Sequence, residues 1–168
     1  NRSLTHRRGP QTLWLVVLML VALLALMRPP AAQAATITVA ASEVVILENN
    51  ICSLREAIIN ANNDAATYDD CAAGSGADTI TLAAASTYQF SDSYASYSGA
   101  TGLPQITTAI TIDGNGSTLN RTGGTVRFLA VSGSGNLTLN DLALTNGSMT
   151  TDVGGGALYN AGGTVTIT

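Results

Sequence analysis

The sequence predicts an all-β fold, a parallel β-helix with coils of about 27–30 residues and one short capping helix at its N-terminal end. Two observations predict it. An apolar–Thr–apolar segment recurs at residues 80–82, 110–112, 137–139 and 165–167, with first residues 30, 27 and 28 apart. Short alternating strands at such a period are the signature of a coiled solenoid, in which each coil buries its apolar side only by stacking on the next. The composition agrees: 17 glycines supply corners, while only 11% of the residues are charged, too few for a fold built of long soluble helices. Each strand is expected to pair with its equivalent one coil away. Ile80, Leu82, Ile110, Ile112, Leu137, Leu139, Val165 and Ile167 then stack as the solenoid core, and the intervening Thr residues face outward.

Residues 1–34 are expected to lie outside the fold. Arg2, His6, Arg7 and Arg8 precede an uncharged run of fifteen residues at 13–27, and Ala32-Gln33-Ala34 supplies a small-x-small cleavage site before Ala35. This is the layout of a secretory signal peptide. Fifteen apolar residues closed by Arg28-Pro29-Pro30 fall short of the roughly 20 that span a bilayer, the alternative being a retained membrane anchor.

A cap with the first coil is expected over 35–90. Residues 35–40 alternate as a strand, and residues 52–62 carry a written helix start, with Ser53 as N-cap and Glu56 three residues on as its capping-box partner. Leu54, Ala57, Ile58 and Ala61 fall on one apolar stripe, which predicts that the helix lies across the open end of the first coil; Arg55 falls off that stripe. Residues 91–105 read as a polar surface loop, with Tyr88, Phe90, Tyr94 and Tyr97 in the Ser/Ala/Gly-rich stretch around it, and 106–168 as further coils. Asp113 and Asn140 share one phase of the repeat and are expected to stack as a corner ladder. The alternation still running at Thr168 predicts further coils beyond it.

Charge and chemistry narrow the function classes. All seven basic residues are Arg, and four of them precede Ala35, leaving three against eleven acids, a balance of −8. A nucleic-acid partner requires a basic face that this chain lacks. Cys52 and Cys71, two thiols in a chain read as exported, predict one disulfide, worth roughly 3 kcal/mol for a closed loop of about 20 residues. The alternatives are a reactive thiol, which needs a neighbouring His when the only His is His6, and a metal pair, which needs more ligands. No catalytic residue, cofactor or metal set is expected. Arg121 and Arg127 lie between coils where either could face a groove, but the acids that could serve them, Asp113 and Asp141, are not doubled within one coil.

Several segments resemble a known family: CSLREAI at 52–58 followed by INAN at 59–62, Cys71, GSGADTITL at 74–82, LPQITTAITIDG at 103–114 and GGGALYN at 154–160. They are similar to the bacterial CSLREA-domain proteins, exported right-handed parallel β-helix proteins of the pectin-lyase-like superfamily, related in repeat style to polymorphic outer-membrane proteins. The resemblance implies an extracellular or cell-surface location, outer membrane included, and brings no catalytic residues. The expected function is an adhesin-like binding scaffold for a surface polysaccharide or a host or neighbouring-cell surface, touching membrane only through the leader or a C-terminal anchor. The competing expectation is a polysaccharide lyase or glycoside hydrolase whose active site lies in later coils.

Overall fold

A computed structural model describes residues 33–150 and 154–168, together with Trp14, Val17, Met19 and Leu20. The expected leader therefore lies almost wholly outside the described residues, and no helix among them is long and apolar enough to cross a membrane. The chain divides into two units, Asn1–Ala31 and Ala32–Thr168, and everything below concerns the second.

That unit is a mostly β, parallel β-solenoid of about three turns with one short helix. Its first face is a ladder of parallel strands, β1 (Thr36–Thr38), β2 (Asp78–Thr81), β6 (Ala109–Arg121), β8 (Asn136–Thr145) and β10 (Thr164–Ile167), hydrogen-bonded in that order. The register follows the repeat from residue 110 onward but corrects the first coil by two residues: the rung paired with Ile110–Ile112 is Asp78–Ile80, 32 residues earlier, rather than residues 80–82. Ile37, Ile80, Ile112, Leu139 and Ile167 align in one inward column, and Ile110, Leu137 and Val165 in a second. Thr36, Thr79, Thr111, Thr138 and Thr166 align outside. Each aliphatic side chain thus packs on its equivalents about 4.8 Å above and below.

β6 and β8 continue past a corner. After a register shift between Asp113 and Ser117, the second half of β6 pairs with β3 (Thr87–Phe90) on one side and with residues 142–145 of β8 on the other, making a second face. Asn115, Gly116 and Asp141 adopt positive φ there, conformations for which Asn, Asp and Gly pay least. Gly114 is required by close approach, since a Cβ would sit 2.4 Å from the Asp141 carbonyl oxygen. A third face consists of parallel bridges, Thr101 to Arg127 and Ile106 to Val131, and the pair β7 (Leu129–Val131) and β9 (Leu158–Asn160).

Helix α1 (Leu54–Asn63) starts at the expected place, with Ser53 and Glu56 exchanging both capping-box hydrogen bonds. Leu54, Ala57, Ile58 and Ala61 are fully buried in the same apolar cluster as Ile37, Ile80 and Ile106. Cys52 and Cys71 form a disulfide that ties the helix start to the loop after it. β1 itself is the terminal rung of the first face. Besides burying its apolar stripe, the helix bonds through polar side chains to the 102–107 segment of the third face: Arg55 Nε donates to the Gly102 carbonyl (2.9 Å), Asn62 Nδ2 donates to the Gln105 carbonyl (2.8 Å), and Asn62 Oδ1 accepts from the Thr107 amide (2.9 Å). Hence Arg55, off the apolar stripe by helical phase, is only 5% exposed.

Two further expectations are corrected. Ile167, read as core, is 69% exposed and Val165 is only partly buried, because β10 pairs with β8 on one side and no described strand lies on its other side. Residues 91–105 are not a featureless loop: β4 (Ala95–Ser96) and β5 (Ala100–Thr101) form an antiparallel hairpin around Ser98 and Gly99, both at positive φ. Of the aromatics beside it, Tyr88 and Phe90 point inward from β3 and are fully buried. Phe90 meets Phe128 edge to face at 5.4 Å, and the Tyr88 hydroxyl accepts the Ala83 amide (3.1 Å).

Candidate functional site

The last turn of α1 and the hairpin enclose a groove of about 290 Å³, lined by Ile59, Asn62, Asn63, Tyr94, Tyr97, Pro104, Gln105 and Thr107. No lining side chain is charged. Its floor is rigid because Asn62 is fixed by Gln105 and Thr107, and Pro104 is buried. Its walls are two tyrosines that present ring surface, Tyr94 at 38% exposure and Tyr97 half-buried. Partial burial, then the neighbouring Tyr97 and Tyr68, raise the Tyr94 hydroxyl above the usual tyrosine value, while Arg55 pulls it down. With the shift upward from 10.0, Tyr94 is a neutral donor at any physiological pH.

The hairpin that carries these tyrosines is pinned by arginines. Arg55, besides bonding Gly102, reaches the exposed Asp92 carboxylate (3.3 and 3.4 Å) and lies 5.9 Å from the Tyr94 ring centre. Arg127, fully buried, donates to the Ser98 carbonyl at the hairpin turn and stacks 4.8 Å from the Tyr159 ring centre. Burial lowers its pKa from the ordinary value, with Tyr159 acting in the opposite direction. Arg121 donates to the carbonyls of Asn146 and Gly124. Arg55, Arg121 and Arg127 therefore all bond backbone carbonyls and hold coils or hairpin together.

Asp113 and Asn140 lie opposite each other in register, and Asn140 accepts from the Thr168 hydroxyl (2.6 Å). A second ladder, one corner on, is more fully bonded: Asn120 Oδ1 accepts from Asn146 Nδ2 (2.8 Å) and the Thr145 hydroxyl (3.0 Å). These are corner struts of partly or fully exposed residues that do not line the groove. Among the described residues no group of three or more His, Cys, Asp or Glu is placed to hold a metal ion.

One organising residue carried no sequence signal. Asn60 is completely buried; its Nδ2 donates to the carbonyls of Tyr68, Cys71 and Ala72 (2.9, 3.3 and 3.1 Å) and its Oδ1 accepts the Tyr68 amide (2.9 Å). It shapes the loop that the disulfide closes. Gly74 completes the packing, since a Cβ there would lie 2.2 Å from the Asn60 carbonyl oxygen. The expected signal is in the Asn itself, which reads equally well as helix-end punctuation.

No family model, no curated protein and no solved structure matches the chain.

Proposed function

We propose that this chain is an exported β-solenoid of the CSLREA type, cleaved before Ala35, which acts as an extracellular binding scaffold and takes a neutral saccharide in the groove between α1 and the hairpin. The observation that carries the reading is the groove's chemistry. Two tyrosine faces supply apolar ring surface for the C–H face of a sugar, and Asn63, Gln105 and Thr107 supply neutral donors and acceptors for its hydroxyls. The groove has no charge to select an acidic ligand. A net charge of −8 after the leader further disfavours uronic-acid polymers through long-range repulsion. The commitment of Arg55, Arg121 and Arg127 to carbonyls supports a scaffold over a lyase, whose reaction needs a base facing the substrate.

The test is binding of the processed protein to a panel of neutral and acidic oligosaccharides, read by ligand-observed NMR. Neutral ligands are expected to bind weakly, and Tyr94→Ala or Tyr97→Ala to reduce affinity by about three- to tenfold, the loss of one aromatic contact. Preference for acidic ligands, or indifference to both substitutions, would falsify the assignment of the groove.

A further inference from the structure

Asp78 stands at an inward position of β2. Its column continues upward as Ile110, Leu137 and Val165, so a carboxylate opens a stack that is otherwise aliphatic. It is 1% exposed. Its oxygens accept the Ser75 amide (2.9 and 3.1 Å) and the backbone nitrogen of Ala35 (2.9 Å), and among the described residues it has no ion pair. Ala35 is gripped on its other side too, its carbonyl accepting the Thr79 amide (2.8 Å). A buried carboxylate held only by neutral amides is costly, and the natural remedy is a cation at hydrogen-bond distance.

The sequence supplies one. Independently of any contact, the small-x-small pattern Ala32-Gln33-Ala34 sets the leader cleavage immediately before Ala35. Hydrolysis of the Ala34–Ala35 peptide bond by a processing peptidase places the hydroxyl of water on the Ala34 carbonyl carbon. The Ala35 nitrogen takes up protons and becomes an α-ammonium without moving from its place. We propose that leader removal converts the Ala35–Asp78 hydrogen bond into a half-buried ion pair, so that processing itself locks the first rung of the solenoid. This rests on the reading of residues 1–34 as a cleaved leader. It assigns Asp78 as the receptor for the new N-terminus, and a chain that keeps its leader as the looser form.

The chain contains no Lys, so after processing the α-amine is its only primary amine. The experiment expresses the full chain with its leader in a bacterium, recovers the processed product with its disulfide intact, reads its N-terminus by mass spectrometry and then treats it with a small amine-acylating reagent near pH 7.5. A product beginning at Ala35 is expected to acylate at least tenfold more slowly when native than in denaturant, because a paired ammonium is not nucleophilic. Asp78→Asn is expected to abolish the protection. Wild-type protein acetylated while unfolded and then refolded is expected to melt several degrees lower than unmodified protein, a comparison that holds even if Asp78→Asn does not fold. A product beginning elsewhere overturns the leader reading and the pair with it. A product beginning at Ala35 whose amine reacts equally fast native and unfolded, or whose acetylation leaves the melting temperature unchanged, overturns the pair alone.

Discussion

Replacing Arg55 with Ala tests how the end of the solenoid is closed. The guanidinium makes two kinds of contact of very different worth. The bond from Nε to the Gly102 carbonyl is buried at both ends, and Gly102 itself is buried. A hydrogen bond to a charged group contributes about 1.5–3 kcal/mol, and a carbonyl left unsatisfied keeps its desolvation cost of about 1–3 kcal/mol. The pair with Asp92 is long, at 3.3 Å, and the carboxylate side chain is 64% exposed, so solvent screening holds it to roughly 0.5 kcal/mol or less. Arg55→Ala is therefore expected to cost about 3 kcal/mol, a melting temperature lower by about 10 °C for a domain of this size, and Asp92→Ala almost nothing. Arg55→Lys should recover only part, because a flexible ammonium lacks the fixed Nε–H that the guanidinium plane aims at the Gly102 carbonyl. Thermal unfolding followed by circular dichroism on the disulfide-intact protein reads all three. If Arg55→Ala and Asp92→Ala fall together below about 0.5 kcal/mol, Arg55 is an ordinary surface residue and the edge of the third face is satisfied by other groups.

Four other outcomes follow from the same geometry. Ile58→Asp buries a carboxylate in the cluster that holds Leu54 and Ile106 and should cost about 4 kcal/mol or more, measured by urea titration. Asn60→Ala strips the buried donor from the carbonyls of Tyr68, Cys71 and Ala72 and should lower stability by about 2–3 kcal/mol in the same titration, with Gly74→Ala comparably damaging through backbone clash. Reducing Cys52–Cys71 should cost roughly 3 kcal/mol, and non-reducing peptide mapping should recover the two cysteines linked. Because the Tyr94 hydroxyl is shifted upward from 10.0, saccharide binding should stay flat from about pH 6 to pH 9; a decline within that window would mean that a different group titrates in the groove.

The first face was legible because each rung is local. Ile110-Thr111-Ile112 states in three residues which side faces in, and the 27-residue spacing to Leu137 states what lies above it; the rung below, Asp78–Ile80, is 32 residues back and so falls two residues off the 30-residue spacing read from the motif. The helix start was legible for the same reason, Ser53 and Glu56 being three residues apart. What escaped notice depends on partners far along the chain. Arg55 is buried by Gly102, 47 residues on, and no helical phase contains that information. The hairpin at 95–101 has strands of two residues in a Ser/Ala/Gly background, too short for any alternation to register, and its order comes from Arg55 and Arg127 outside it. Tyr88 and Phe90 were readable in principle, since they alternate with Thr87 and Gln89 as the inner residues of a strand; the polar stretch that follows them obscured the pattern. Asp78 belongs with the rung it opens, and its sequence context, Asp-Thr-Ile-Thr, places an acid where β6, β8 and β10 have Ile, Leu and Val. That departure places a buried carboxylate at the foot of a column that is aliphatic from Ile110 upward. Where local consistency breaks inside a repeat, a second constraint has been imposed on that position, and at Asp78 the constraint with matching geometry is the nitrogen of Ala35.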